Sequence, residues 1–317
     1  MRPPKYDAVI FDIDNVLIDT RRSYLESIRW TVHIYLTSGS VPFFHNDMKD
    51  DGPQPLSSGD VDLFKLLGGF NDDWDCCYGL LIYLLQLKVE HRTLSQLKQA
   101  INLGEFSRQI RKRPLHVSGM VSKFGRNPVV TIEKIARIFQ EVYLGRNLFE
   151  ANEKKKVQFW KKRGLILKEK IIFRKKTLEK IKAMGVRLGI ATGRPRFEAI
   201  YALKTFGIFD LFEAITTIDE VKKAEAHLRQ SLRKPHPFSL LETAKKMGVT
   251  RHFLYVGDLP DDILAALQAK KDISIGSVAF PCYSCSMESA FSEIQKAKPD
   301  FMIRKPAELL RVIKSGK

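Results

Sequence analysis

The chain has 317 residues, of which 44% are hydrophobic, so it can bury a core large enough for one large domain or two ordinary ones. It carries 53 basic and 36 acidic residues, and the resulting formal net charge of +17 favours anionic partners such as phosphorylated metabolites or nucleic acids. The apolar run at residues 8–11 is too short for a secretion signal, and the run at residues 76–87 is too short for a membrane span.

The four cysteines are too few for a disulfide scaffold, and the pair Cys282 and Cys285 has no matching second pair that would make a zinc ribbon. A redox or half-metal site remains open for this pair, but buried or loop thiols are the simpler interpretation. We therefore expect a cytoplasmic protein and assign these cysteines no role.

The first predicted element is a buried strand at residues 7–12, where an apolar run ends abruptly in an aspartate. From about residue 21 to residue 167 we find only helical patterns and loops. The clearest helices are predicted at residues 21–36, 80–87 and 131–144. An all-α domain inserted after the first strand is the simplest account.

Two basic segments belong to this predicted insertion or follow it. Residues 104–128 are predicted to form a loop with six basic side chains, among them Arg111, Lys112 and Arg113, which we expect to recognise the remote part of an anionic substrate. Residues 151–182 contain thirteen Lys or Arg against three Glu and are predicted to be amphipathic and helical. A solvated surface is the alternative interpretation of both segments.

The C-terminal half alternates strands and helices. Apolar runs at residues 186–191, 253–257 and 273–280 predict buried parallel strands. The helical patterns between them end at Gly207 and Gly248, which can form left-handed caps. This alternation predicts an α/β fold, with a Rossmann-like parallel sheet core formed by residues 1–20 and 170–317 and a helical cap domain formed by residues 21–169.

The first candidate motif is FDIDNVL at residues 11–17, at the end of the first strand. In α/β proteins ligands bind at such strand ends. Asp12 and Asp14 can divide the work there, because one carboxylate can attack while the other transfers protons. A solvated turn would explain the pair equally well if it stood alone.

Two further motifs supply phosphate-binding groups. Thr192 and Gly193 follow the second strand, where a hydroxyl and backbone N–H groups can hold a phosphoryl oxygen, although an ordinary helix cap is an alternative. Lys234 precedes Pro235 and a predicted helix, and its ammonium group can present a point charge to a phosphoryl group.

The last motif is GDLPDD at residues 257–262, after the third strand. Carboxylate oxygens suit Mg2+, which takes one or two protein carboxylates together with substrate oxygens and waters. Asp258 is placed to bind such an ion, and Asp262, one helical turn later, can either ligate it or orient its ligands. An acidic helix N-terminus is the alternative interpretation.

In this order the motifs resemble the haloacid dehalogenase (HAD) superfamily, over residues 1 to about 20 and 170 to 317. The insertion is similar to the helical cap of the phosphoglycolate-phosphatase-like branch, although it is longer than such caps usually are. Asn15 stands where the family usually has Gly, and because asparagine tolerates a positive φ we expect the turn to survive.

The resemblance implies a phosphatase. Asp12 would form an aspartyl-phosphate, Asp14 would act as general acid and base, and Thr192, Gly193 and Lys234 would bind the phosphoryl group. The cap would exclude water and select a small phosphorylated substrate.

The resemblance also implies Mg2+ as cofactor. The ion would be held by the Asp12 carboxylate, the Asp14 backbone carbonyl and Asp258, with Asp262 as a further metal residue.

Two alternatives stay open. A phosphomutase would keep all four motifs, whereas a dehalogenase typically lacks the second aspartate. The basic segments could instead indicate a nucleic-acid-binding protein or a nucleic-acid end phosphatase, although Phe159 and Trp160 within them more often mark a helix core. The oligomeric state is not predicted.

Overall fold

The computed structural model describes the chain except for residues 1–4, 39–53, 66, 71, 90–92, 111–114, 249–251, 282–290, 292–293 and 316–317. Arg111, Lys112 and Arg113 therefore lie outside the described residues, as do Cys282 and Cys285. The chain divides into two compact units: residues 1–20 with 170–317, and residues 21–169.

The first unit is built on β-strands. Their bounds are β1 (Ala8–Phe11), β2 (Ile18–Asp19), β3 (Lys170–Ile171), β4 (Arg187–Ala191), β5 (Ala214–Thr216), β6 (Phe253–Gly257), β7 (Ile275–Ala279) and β8 (Phe301–Met302). Six of them form one sheet in the order β5-β4-β1-β6-β7-β8, and every neighbouring pair is parallel. β2 and β3 form a separate antiparallel pair.

The central strands of the sheet are buried on both faces, as their apolar sequences require. Every residue of β1, β6 and β7 is buried. The register places Phe11 opposite Ile190 on one side and Val256 on the other, so the carboxyl ends of β1, β4 and β6 are level. The predicted parallel sheet and its four strands are confirmed, and the α/β fold class is correct.

The helices of the first unit cover the sheet. They are α8 (Lys175–Lys182), α9 (Arg196–Thr205), α10 (Ile218–Leu228), α11 (Phe238–Met247), α12 (Pro260–Ala269) and α13 (Leu309–Ser315). Residues from α8, α9 and α13 pack in one buried apolar cluster, and residues from α11 and α12 pack in another. As expected, α9 and α11 are followed by glycines of positive φ, 64° at Gly207 and 75° at Gly248.

The second unit contains helices and no β-strand longer than an isolated bridge among its described residues. Its helices are α1 (Tyr24–Thr37), α2 (Ser58–Lys65), α3 (Asp73–Gln86), α4 (Leu94–Ala100), α5 (Leu103–Gln109), α6 (His116–Phe124) and α7 (Ile132–Glu153). α1 packs against both α3 and α7. No helix in the described parts of the chain is long and apolar enough to cross a membrane.

The prediction of a loop at residues 104–128 is wrong over most of its length. α5 and α6 lie within it, and the side chain of Asn102 caps α5 by accepting a hydrogen bond from the Glu105 N–H. A cap of this kind satisfies an N–H group at the helix start, and the buried Phe106 and Met120 anchor the two helices.

The prediction of a helix across residues 151–182 is also wrong for its middle part. α7 ends at Glu153, residues 154–164 are not helical, and α8 begins at Lys175. The buried Glu141 carboxylate accepts hydrogen bonds from the backbone N–H groups of Gln158, Phe159 and Trp160 at 2.7–3.0 Å. Because those N–H groups are taken by a side chain, this segment does not form a helical ladder.

Candidate active site

The polar residues that follow β1, β4 and β6 meet at one edge of the first unit. Asp12 follows β1, Thr192 follows β4, and Asp258 follows β6. Lys234, on the loop before α11, joins them through a hydrogen bond of 3.1 Å from its Nζ to the carbonyl oxygen of Ala191. Parallel strands whose ends are level therefore gather side chains that are far apart in the sequence.

Three carboxylates of this group form a buried cluster. Asp12, Asp258 and Asp262 each offer an oxygen within 4.8 Å of the other two, and each residue is at most 8% exposed. Burial raises the pKa of Asp12 to about 7, with Lys234 opposing the shift and Asp262 adding to it. Burial and the charge of Asp262 also raise the pKa of Asp258 well above its usual range. Crowding of buried carboxylates, which disfavours their charged forms, is thus the dominant electrostatic feature of the site.

Lys234 supplies a positive charge to this cluster. Its Nζ lies 2.9 Å from Asp262 Oδ1 and 3.5 Å from Asp12 Oδ1. Burial alone would lower the pKa of Lys234, but the charges of Asp12 and Asp262 outweigh burial and raise it. The lysine is therefore held as a cation beside Asp12, where it can neutralise charge on a bound anion.

The carboxylate of Asp262 is held by several protein donors. Its Oδ1 accepts from the Tyr255 hydroxyl at 2.8 Å, and its Oδ2 accepts from the N–H groups of Asp258 and Leu259 at 3.1 Å each. A Cβ atom on Gly257 would lie 2.3 Å from the Asp262 Cβ, so only glycine permits this close approach. These contacts favour the orienting role over direct ligation for Asp262.

Asp14 stands beside Asp12 in a turn that Asn15 makes. Asn15 has a φ of 55°, so the expected positive φ at this position is confirmed. Asp14 Oδ1 accepts a hydrogen bond from Arg194 Nε at 2.6 Å and forms an ion pair with Nη2 of the same guanidinium group, also at 2.6 Å. Asp14 is the more accessible of the two aspartates, with 29% of its side chain exposed.

Thr192 and Gly193 lie at the start of the loop after β4. Thr192 is buried, and its hydroxyl accepts from the Arg194 N–H at 3.2 Å, so it acts as a local cap. Gly193 is exposed, and a Cβ atom there would meet no described atom within 4 Å. The protein itself does not require glycine at this position, so space for a phosphoryl group stays a prediction.

Two polar residues of the site are not singled out by the sequence. The first is Arg194: both Arg194 and Arg196 follow β4, and nothing in the sequence pattern tells which of the two is buried. The second is Tyr255, which lies in an apolar strand whose pattern indicates only core packing. A usable signal existed for Tyr255, because a buried tyrosine hydroxyl needs a hydrogen-bond partner.

The donor set fits a divalent cation with oxygen ligands. Asp12 and Asp258 are buried carboxylates with raised pKa values, so a nearby cation would relieve their mutual repulsion. Asp262 fixes the loop that carries Asp258 through the Asp258 N–H. The described cluster contains no cysteine or histidine, and such an all-oxygen set suits Mg2+ better than a soft metal.

Comparison with known protein families gives one clear match. The model of the haloacid dehalogenase-like hydrolases matches residues 6–270. A pyrophosphatase PpaX from Bacillus pumilus (strain SAFR-032) is 31% identical over 138 residues, which are 43% of this chain and 56% of that protein. A phosphoglycolate phosphatase from Yersinia pseudotuberculosis serotype I (strain IP32953) is 30% identical over 141 residues, which are 44% of this chain and 53% of that protein. The chain thus spans about half the length of these relatives.

Solved structures agree on the fold. A crystal structure from a structural genomics consortium has a TM-score of 0.66 at 21% identity and covers 96% of this chain and 98% of its own. The crystal structure of a predicted phosphoglycolate phosphatase from Haemophilus somnus 129PT has a TM-score of 0.53 at 19% identity, with 97% of both chains covered. At these identities the likeness concerns the fold alone.

Proposed function

The chain belongs to the haloacid dehalogenase-like hydrolases, and from this premise we propose that it is a Mg2+-dependent phosphate-monoester hydrolase. The supporting observation is the convergence of Asp12, Asp258 and Lys234 at the carboxyl edge of the sheet, with Lys234 Nζ 3.5 Å from Asp12 Oδ1. A nucleophile, a cation-binding carboxylate and a fixed positive charge are the groups that phosphoryl transfer requires.

Asp12 is the proposed nucleophile. One of its carboxylate oxygens forms a bond to phosphorus, the bond from phosphorus to the ester oxygen breaks, and an aspartyl-phosphate results. The N–H of Ile13 donates to Asp12 Oδ1 at 2.8 Å and fixes the carboxylate for attack. Water then attacks phosphorus, which releases phosphate and restores the carboxylate.

Asp14 is the proposed general acid and base. It gives a proton to the leaving oxygen in the first step and takes one from the attacking water in the second. The Thr192 hydroxyl, the Gly193 N–H and the Lys234 ammonium group are proposed to bind the phosphoryl oxygens, where electrostatic stabilisation supplies most of the rate.

The cation would be held by the Asp12 carboxylate, the Asp14 backbone carbonyl and Asp258, with Asp262 orienting the Asp258 loop. When bound, Mg2+ supplies positive charge that offsets repulsion between a phosphate dianion and the aspartates.

The substrate is proposed to be a small phosphorylated metabolite. The two relatives named above are a pyrophosphatase and a phosphoglycolate phosphatase, so pyrophosphate and phosphoglycolate should head a panel of phosphate compounds. Analysis of the products separates hydrolysis from a mutase reaction, because a mutase returns an isomeric phosphate ester and releases no inorganic phosphate.

The direct test is Asp12→Asn. We expect wild-type protein with Mg2+ to release phosphate from an aryl phosphate and from the best compound of the panel, and Asp12→Asn to abolish both activities without unfolding. Acid quenching during turnover should trap a protein that has gained one phosphoryl group, and Asp12→Asn should not gain it. Undiminished turnover by a folded Asp12→Asn variant would contradict the mechanism.

A second experiment tests the proposed metal site by comparing the Mg2+ requirement of two aspartate variants of the same motif. Asp258→Ala should raise the Mg2+ concentration needed for half-maximal activity by at least about tenfold, because it removes a carboxylate ligand. Asp261→Ala is the matched control, since Asp261 is not part of the buried cluster. If the two substitutions raise the Mg2+ requirement equally, Asp258 is not the metal ligand that we propose.

A further inference from the structure

The guanidinium group of Arg194 is wholly buried beside the reacting edge of the sheet. None of its side chain is exposed, and its Nε and Nη2 both lie 2.6 Å from Asp14 Oδ1. Arg194 and Asp14 are 180 residues apart in the sequence, so the fold itself creates this pair. Because arginine stays charged, its burial requires compensation by nearby acceptors, and Asp14 is one of them.

The backbone around Arg194 is fixed as firmly as its side chain. Its N–H donates to the Thr192 hydroxyl at 3.2 Å, and its carbonyl oxygen accepts from the Ile218 N–H at 3.2 Å. On the other side of the pair, Asp14 precedes the constrained turn at Asn15. Two donors from a rigid planar group, reaching one carboxylate oxygen, restrict the rotation of the Asp14 side chain.

We infer that Arg194 is a positioning residue, which sets the orientation of the Asp14 carboxylate for proton transfer to the leaving oxygen and from the attacking water. This inference rests on the proposed function, because it assumes that Asp14 is the general acid and base. Proton transfer depends on a narrow donor-to-acceptor geometry, so a carboxylate free to rotate would protonate the leaving group less often.

The chain offers a matched control two residues away. Arg196 is the first residue of α9, half of its side chain is exposed, and it pairs with Glu220 at 3.0 Å rather than with a residue of the site. Arg194→Met and Arg196→Met therefore each remove one positive charge at nearby positions. Only Arg194→Met removes the contacts that restrict rotation of the Asp14 side chain. Arg194→Lys keeps the charge and removes the planar pair of donors.

The test compares esters that differ in their need for a proton. Dinitrophenolate leaves without protonation, whereas an alkoxide needs it. We expect Arg194→Met to lower kcat/KM, which reports the step that expels the leaving group, by about 10²-fold on an alkyl phosphate, within the usual range for general acid catalysis. On 2,4-dinitrophenyl phosphate kcat/KM should fall by less than about tenfold, whereas kcat should also fall, because breakdown of the aspartyl-phosphate uses Asp14 for both esters. Arg194→Lys should fall between wild type and Arg194→Met, and Arg196→Met should match wild type.

A double-mutant cycle with Asp14→Asn completes the experiment. If Arg194 acts through Asp14, adding Arg194→Met to Asp14→Asn costs little further activity on the alkyl phosphate. An equal loss of kcat/KM on both esters, or full additivity with Asp14→Asn, would overturn the positioning role and show that Arg194 only supports the local structure. If Arg194→Met does not fold, the alkyl and dinitrophenyl esters are compared with Arg194→Lys instead.

Different results would contradict the proposed function and the role of Arg194. If wild-type protein hydrolyses no phosphate ester, or if folded Asp12→Asn remains active, the proposed function is wrong and the role of Arg194 falls with it. If wild type is active and Asp12→Asn is not, while Arg194→Met shows no dependence on the leaving group, only the role of Arg194 is wrong.

Discussion

At the scale of single residues, Gly257 controls the position of Asp262. A Cβ at residue 257 would come within 2.3 Å of Asp262 Cβ and 2.5 Å of its Cγ, both atoms of a side chain fixed by several hydrogen bonds. The contact cannot be relieved by moving a flexible side-chain end. The acidic motif therefore depends on its glycine as much as on its aspartates.

We predict that Gly257→Ala lowers the free energy of unfolding by about 1–3 kcal/mol, the usual cost of overpacking a buried site. It should also raise the Mg2+ requirement, because displaced Asp262 no longer holds the Asp258 loop. Chemical denaturation and Mg2+ titration of activity measure the two effects. Gly193→Ala is the stability control, since its Cβ meets no described atom within 4 Å. Equal stability of the two variants would contradict the steric argument.

The sequence predicts the aspartates of the candidate site but not its buried arginine. Asp12 and Asp258 could be selected because each is an acidic residue directly after a buried strand, and Asp14 because it stands two residues after Asp12. Arg194 could not, because burial of one arginine rather than its neighbour depends on which side chain the loop turns inward. The strand tips indicate where a site lies, but not which supporting side chains complete it.

At the scale of elements, the strands could be predicted and the segment after α7 could not. A run such as residues 253–257 is apolar at nearly every position, so local sequence and tertiary burial agree. Residues 154–163 have a composition that a helix tolerates, but the N–H groups of residues 158–160 bind the carboxylate of Glu141, which lies on α7. Long-range acceptors of this kind leave no local pattern.

Glu141 should therefore be essential to the second unit. Its carboxylate is wholly buried, accepts three backbone N–H groups, and pairs with Arg137 Nε at 2.6 Å. We predict that Glu141→Gln lowers the free energy of unfolding by about 3 kcal/mol, because the amide NH2 of glutamine would face backbone N–H donors in a buried position and the half-buried Arg137 would lose its charged partner.

Chemical denaturation of the full chain tests this expectation. Glu133→Gln on the same helix is the control, because Glu133 is exposed and should tolerate the change. If both variants denature at the same midpoint, the carboxylate does not hold the segment in place.

At the scale of the whole molecule, the net charge of +17 acts over distances longer than any single contact. An anionic substrate approaches a positively charged protein faster at low ionic strength, when the Debye length is about 30 Å at 0.01 M rather than about 8 Å at 0.15 M. We predict that kcat/KM on a phosphate ester falls severalfold over this range while kcat changes little.

The measurement is a series of steady-state assays at fixed pH and saturating Mg2+. A more highly charged ester should show a steeper fall than a singly charged one. A flat profile for both would mean that the basic residues do not guide substrate. Tight oligonucleotide binding that weakens steeply with salt would instead favour the nucleic-acid alternative.

The short antiparallel pair of β2 and β3 has a further consequence. Asp19 lies opposite Lys170, so the chain leaves the first unit and returns to it at neighbouring positions, about 5 Å apart as in any strand pair. An intervening segment whose ends emerge side by side can be lengthened, shortened or exchanged for another without altering the order of the parallel strands. The pair is therefore a natural splice point: a chimera that replaces residues 21–169 with another segment keeps every residue of the proposed active site within the first unit.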